Sequence, residues 1–207
     1  DYHNADGSIG EMCGNGARVF AMFLQREGLV AADEFVIATR GGHRQVVVAD
    51  HISVDMGFPE VAAGDVVVQV GDQQWPAEAV FMPNPHAVVF VDDLELSLTN
   101  APVVTSTVFP EGQNVEFVSV VAPGRHVRMR VHERGVGETL SCGTGICAVA
   151  DRVLAAAGIE GSADVQVEVP GGSLTVTRSP AGSLVLTGPA ALVADGTLSE
   201  PLSEMFL

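Results

Sequence analysis

Two cysteines more than a hundred residues apart sit in matching settings, Cys13 in Met12-Cys13-Gly14-Asn15-Gly16 and Cys142 in Ser141-Cys142-Gly143-Thr144-Gly145. Each is followed by a segment with helical apolar spacing, which places a thiol at the mouth of a helix N-terminus. Unpaired N–H groups and the macrodipole favour negative charge there, so a thiol pKa falls and a carboxylate is well held. Two such mouths facing each other would hold one carboxylate between them, with a sulfur on each side of its α-carbon. One thiolate could then remove a proton from one face while the other thiol delivers a proton to the opposite face. Oriented backbone donors would stabilise the charge that builds in the carboxylate during deprotonation. An isolated cysteine before a helix is most often a small buried residue. Two occurrences of Cys-Gly-x-Gly before a helix in one chain point instead to chemistry, whereas Cys147 lacks the following glycines and reads as core packing.

The chain has no lysine, all ten basic residues being arginine. A pyridoxal enzyme holds its cofactor through a lysine Schiff base, so that chemistry is excluded for these residues, as is a Walker lysine. No cofactor is expected. Three cysteines without a Cys-x-x-Cys do not make a disulfide framework or a structural zinc site, and no metal is expected. The formal charge of −16 repels phosphate backbones and anionic membranes, and no apolar run reaches the ~20 residues of a membrane helix, so neither nucleic acid nor membrane is an expected partner. The first residue is Asp1 rather than Met, and the first motif begins almost at once, so the sequence reads as lacking its native start.

The elements that must carry the two thiols follow from periodicity. Ala17, Phe20, Ala21 and Leu24 predict a helix from Gly14 to a stop at Gly28, and Ile146, Ala150, Val153, Leu154 and Ala157 predict a second from Gly143 to Gly158. Nearly everything else predicts short strands: 34–39, 44–50, 52–56, 66–70, 86–91, 115–121, 126–132, 165–169, 173–178 and 183–187. In 126–132, Val127, Met129 and Val131 alternate with Arg128, Arg130 and His132, the period of a half-buried strand. Strands around one helix therefore occur twice. Aligning Cys13 with Cys142 matches Gly14 with Gly143, Gly16 with Gly145 and Ala21 with Ala150, which suggests an internal duplication. The expected fold is α/β (α+β), two pseudo-symmetric lobes, each a mostly antiparallel sheet or barrel around a central helix, with a cleft between the helix N-termini.

Four ordered motifs add to this reading: Asn4-Ala5-Asp6-Gly7-Ser8 with Met12-Cys13-Gly14-Asn15-Gly16; Pro83-Asn84-Pro85-His86; Pro110-Glu111-Gly112-Gln113-Asn114-Val115; and His132-Glu133-Arg134-Gly135-Val136-Gly137-Glu138-Thr139 leading into Cys142-Gly143-Thr144-Gly145. In them the sequence resembles the diaminopimelate epimerase family, pyridoxal-independent enzymes of lysine and peptidoglycan precursor synthesis. The resemblance implies that Cys13 and Cys142 are the acid/base pair. It implies that Gly14, Asn15, Gly143 and Thr144 bind the reacting carboxylate, and that Asn4, Asn84, Asn114 and Arg134 recognise the distal end of the substrate. His86 and Glu133 are implied to position the reacting ammonium group and tune the thiols. A guanidinium matches a carboxylate bidentately, which suits Arg134 to that role.

The resemblance further implies diaminopimelate as substrate, a homodimer and a cytoplasmic location. Residues 1–60 are expected to form an N-terminal lobe lacking its first part, to which a segment of about 190–207 returns, and residues 61–189 the C-terminal lobe. Family members carry a further N-terminal stretch, with an Asn and a Gln that bind substrate. The nearest rivals are a proline racemase-like enzyme and a non-catalytic relative of the same fold. Proline racemases typically have His at the position of Asn15, and non-catalytic relatives often replace the cysteines that are retained here.

Overall fold

The computed structural model describes residues 1–3, 9, 10 and 12–196. Asn4, with the rest of its motif through Ser8, lies outside the described residues, as do residues 197–207. Strands β1 (Tyr2–His3) and β2 (Ile9–Gly10) pair antiparallel ahead of helix α1 (Gly14–Arg26). Next come β3 (Glu34–Thr39), β4 (Gly42–Val48), β5 (Ile52–Gly57), β6 (Glu60–Val70), β7 (Gln73–Phe81), β8 (Pro85–Phe90), β9 (Val103–Thr105), β10 (Asn114–Ala122), β11 (His126–Glu133) and β12 (Gly137–Thr139). Helix α2 (Gly143–Ala156) follows, then β13 (Ala163–Val169), β14 (Gly172–Arg178) and β15 (Leu184–Gly188). The expected α/β class is found, mostly sheet with two helices.

The long sheet runs β3-β4-β5-β15-β14-β13-β11-β10-β8-β7-β6-β9, with β12 added on β11. Its pairs are antiparallel except β8 with β10 and β11 with β13, which are parallel. The closing pair is β15 on β5, joining residues 184–188 to 52–57 across a long sequence separation. One core holds both helices, with Ala17, Ala21, Val54 and Met56 packed alongside Ile146, Ala150, Leu154 and Leu186. A smaller core under β6 to β10 includes Val68, Ala87, Val89 and Phe117.

The alternation expected of β11 is present, with Val127, Met129 and Val131 buried. Helix α1 is rotated from its expected face. Its buried stripe is Gly14, Ala17, Arg18 and Ala21, whereas Phe20 is 44% exposed. The i, i+3, i+4, i+7 series starts one turn earlier than the bulky residues suggest, because glycine at 14 supplies the closest approach. Helix α2 is buried all round from Gly143 through Asp151, and Ala157 is an exposed cap rather than part of a face.

Residues 73–81, for which no strand is predicted, form β7. Pro76 pairs with Val67 of β6 but lies outside the stretch of β7, Glu78 to Phe81, that pairs with β8. Proline is tolerated where one edge of a strand needs no donor.

Leu186 ties the helices to the sheet. A side chain at Gly14 or Gly143 would meet its Cδ2 at 2.8 or 3.2 Å. Leu186→Ala should therefore lower unfolding free energy by about 2–5 kcal/mol in denaturant titration. A loss below about 1 kcal/mol would show that the helix mouths do not depend on this contact.

Candidate active site

The two helix N-termini abut. A Cβ built on Gly143 would lie 3.1 Å from Gly14 Cα and 3.3 Å from Gly14 N, and a Cβ on Gly14 would meet Met56 as well as Leu186. None of the four motif glycines has the positive φ that favours glycine. Glycine is required here for space. Cys13 and Cys142 occupy the N-cap positions of α1 and α2 with similar extended backbones, φ/ψ −133/106 and −124/109.

Their surroundings differ. Cys13 is exposed, and its Sγ accepts the Gly16 N–H at 3.3 Å. Cys142 is buried, with no cap bond from the helix, and its Sγ lies 3.5 Å from Thr144 Oγ1. The expectation that a helix N-terminus lowers its pKa fails for Cys142. Burial pushes this thiol up, and the charges of Glu133 and Glu116 push it further, against the weaker opposing effects of the Thr144 hydroxyl and the Gly145 N–H. Burial likewise raises Cys147, in keeping with its place in the core.

Asn15 bridges the two mouths. Its Nδ2 donates to Ser141 O at 3.4 Å, and its Oδ1 accepts from Arg18 Nη2 at 3.0 Å. Arg18 also donates to Gly14 O and Pro189 O, each at 3.3 Å. Tyr2 lies over the first mouth, so close that a Cβ at Gly16 would be 2.6 Å from its ring.

The parallel pairing of β8 and β10 sets His86 opposite Asn114, and the antiparallel pairing of β10 and β11 brings Val115 to His132 and so the start of β10 to Glu133. His86 and Glu116 are both fully buried, with Nδ1 2.7 Å from Glu116 Oε1. On the other side of the ring, Nε2 lies 3.1 Å from Asn84 Oδ1. Asn114 accepts the Arg134 N–H at 2.9 Å, and Arg134 Nη1 donates back to Glu111 O and Gly112 O at 3.0 and 3.3 Å. The Thr139 hydroxyl donates to Glu133. Donor atoms of His86, Glu116 and Cys142 all lie within 4.8 Å of one another. Such a set has the composition of a zinc site, but both ring nitrogens of His86 are already engaged.

A cavity of about 530 Å³ adjoins these groups, its wall including Met12, Asn84, Asn114, Glu133 and Arg134. Neither cysteine is on that wall. Met12 precedes Cys13, and Glu133 acts electrostatically on Cys142, so the cavity borders the helix mouths from the side of the Asn and Arg residues.

The structure thus gathers Cys13, Gly14, Asn15, Cys142, Gly143 and Thr144 at one junction, His86 beside Cys142, and Asn84, Asn114, Glu133 and Arg134 on one cavity. Asn4 lies outside the described residues. Sequence reasoning passed over Glu116 and Arg18. Glu116 left a signal as a lone acid between Val115 and Phe117, and Arg18 as a cation on the small-residue stripe of α1.

Solved structures with this arrangement of strands and helices include a PhzF-family phenazine biosynthesis protein from Bacillus anthracis, with a TM-score of 0.65 at 17% identity, covering 87% of this chain and 73% of that one. Another is a probable proline racemase from Agrobacterium radiobacter K84, TM-score 0.64 at 18% identity, covering 93% and 70%. The fold is therefore that of the two-helix racemase and PhzF-type proteins. Within it, the family model for diaminopimelate epimerase matches residues 1–73 and 78–193. The diaminopimelate epimerase of Streptomyces coelicolor is 48% identical over 95% of this chain and 71% of its own length, and that of Mycolicibacterium paratuberculosis 45% over 97% and 72%. This chain belongs to the diaminopimelate epimerase family.

Tyr2 gives a direct probe of the first mouth, since it is the chain's one tyrosine. Burial, with the charge of Cys13 second, pushes its phenol up to about 12, above the ordinary value of about 10. Ultraviolet titration of the phenolate should show that midpoint. The sign follows: between about 10 and 12 the folded chain keeps a proton that the unfolded chain has lost, so stability must fall as pH rises through this window. A phenolate midpoint near 10 would show that Tyr2 is not buried over the first mouth.

Proposed function

We propose that the chain interconverts LL-2,6-diaminopimelate and meso-diaminopimelate by a two-base mechanism using thiolate and thiol, without a cofactor, in lysine and peptidoglycan precursor synthesis. The observation that carries this reading is the contact of two helix N-termini, each headed by a cysteine. Family membership supports the substrate.

In this reading the substrate's reacting carboxylate takes the backbone N–H groups and side chains of Gly14, Asn15, Gly143 and Thr144. Those donors strengthen as deprotonation moves charge into the carboxylate. One cysteine acts as thiolate base and the other as thiol acid, and burial, which pushes Cys142 up, suits that sulfur to the acid's part. Their roles reverse with the direction of reaction. Glu133 and His86 attend the reacting ammonium group and Cys142. Asn84, Asn114 and Arg134, with Asn4, recognise the distal amino-acid end along the cavity. The same reading takes residues 1–60 and 61–189 as two lobes meeting at the helix mouths, a homodimer as the assembly and the cytoplasm as the location.

The test is turnover of LL-diaminopimelate by the reduced protein in deuterated water, with no cofactor added. Early in the reaction, solvent deuterium should appear chiefly in the newly formed epimer, as two distinct bases require. Equal early labelling of substrate and product would indicate one exchanging base and sink the mechanism, while turnover of proline instead would favour the racemase rival. Cys13→Ser and Cys142→Ser should each lower kcat by roughly 10²–10⁴-fold, the range for losing a positioned acid or base. Retention of full activity by either variant would remove that cysteine from the mechanism.

A further inference from the structure

Arg18 lies on the buried stripe of α1, one turn inside the Cys13 mouth. Its guanidinium is engaged on three sides: Nε donates to Pro189 O at 3.3 Å, Nη1 to Gly14 O at 3.3 Å and Nη2 to Asn15 Oδ1 at 3.0 Å. Holding a cation in the interior by neutral oxygens alone is costly, and packing alone does not call for a charge there. The Asn15 amide has two unlike ends. While its oxygen accepts from Arg18, its Nδ2 donates to the carbonyl of Ser141, the residue before Cys142, so the amide reaches from one helix to the mouth of the other. A guanidinium only donates and a carbonyl oxygen only accepts, so both neighbours demand the same orientation. Turned over, the amide would set N–H against N–H at Arg18 and oxygen against oxygen at Ser141. The Ser141 bond is long at 3.4 Å and the Arg18 bond is of ordinary length, so Arg18 is the firmer determinant. The second N–H of Nδ2 meets no acceptor among the described residues.

We propose that Arg18 is a positioning residue of the epimerisation site, fixing the Asn15 amide with its oxygen on Arg18 and its N–H groups toward the junction of the two helices, where the substrate carboxylate binds. This inference rests on the proposed function, which puts that carboxylate at Gly14, Asn15, Gly143 and Thr144. A carboxylate accepts hydrogen bonds and donates none. An amide that presents N–H adds a donor to those of the helix ends, whereas the same amide reversed would set an oxygen against the anion. Arg18 acts through Asn15 without itself touching substrate. Its bond to Pro189, just beyond β15, ties the amide to the strand whose Leu186 packs on both motif glycines.

The test combines NMR of the reduced full chain with a double-mutant cycle on Arg18→Met and Asn15→Ala. In the wild-type protein the Asn15 side-chain N–H pair, assigned by its loss in Asn15→Ala, should show stronger nuclear Overhauser contacts to Ser141 and Cys142 than to the Arg18 guanidinium. The reverse order overturns the proposal. Arg18→Met should lower kcat/KM at least about tenfold in the wild-type background and less than about threefold in the Asn15→Ala background. A packing defect would persist in both backgrounds, so losses that multiply, or no loss from Arg18→Met, also overturn it. If Arg18→Met does not fold, Asn15→Asp decides together with the wild-type spectrum. That variant keeps an oxygen for Arg18 and removes the N–H groups, so it should keep its Tm and lose at least about tenfold in kcat/KM. Full activity of Asn15→Asp overturns the proposal. If the chain fails to turn over diaminopimelate but the spectrum is as described, the substrate reading has failed and the orientation of Asn15 by Arg18 stands.

Discussion

The proposed chemistry of this molecule depends on the contact between Gly14 and Gly143. Two helices begin at one point, each with unpaired N–H groups and the positive end of its dipole, equivalent to roughly half a charge. Those ends repel. Packing holds them together: Leu186 lies against both glycines, Met56 against the first, and the β5–β15 pairing keeps these side chains in place. A methyl group at Gly14 would press on Leu186 and Met56, and one at Gly143 on the backbone of Gly14 as well as on Leu186. The repulsion is relieved when an anion sits at the junction, so the geometry that costs stability in the free protein favours binding of a carboxylate.

The two thiols share a backbone conformation and a sequence setting, and they do not share an environment. At Cys13 the cap is formed, with an N–H on sulfur and solvent on the open side. At Cys142 burial outweighs the helix end, and Glu133 and Glu116 act in the same direction as burial. A helix N-terminus lowers a thiol pKa only while the thiolate remains solvated or well supplied with donors. Two-base epimerisation needs one sulfur charged and one protonated at the start of each turn. The structure gives the two matching motifs unlike surroundings, with one sulfur exposed and the other buried.

The sequence carried the cysteine-headed helices plainly, because glycine spacing and a 3.6-residue period are local signals. It carried the strands of the second half almost as well, since Val127, Met129 and Val131 alternate against arginines. What it hid was set by partners distant in the chain. Pro76 sits in a strand that the local pattern did not predict, tolerated because β7 leaves β8 beside it, and Phe20 looks like core until Gly14 is seen to take the closest approach. Asn84, Asn114, Glu133 and Arg134 were legible as motifs, but their shared cavity depends on the parallel pairing of β8 with β10, which no local pattern announces. Glu116 was least legible, since an acid in a strand ordinarily faces water.

Arg18 completes the electrical picture of the site. The residue is only 6% exposed, and its guanidinium donates to three neutral oxygens, those of Gly14, Asn15 and Pro189, with no carboxylate partner among the described residues. Burial lowers its pKa while Cys13 and Cys147 oppose that shift. A cation under the first turn of α1 adds to the positive end of that helix, whereas Glu116 and Glu133 stand at the first turn of α2. The Cys13 mouth therefore has a buried cation beneath it, and the Cys142 mouth has the carboxyl groups of Glu133 and Glu116 beside it. An α-amino acid carries both signs on one carbon, so under the proposed function the Arg18 side favours its carboxylate and Glu133 its ammonium. In that reading the reacting carbon is oriented between the two sulfurs by groups on either side of it, ahead of any contact made by the distal end.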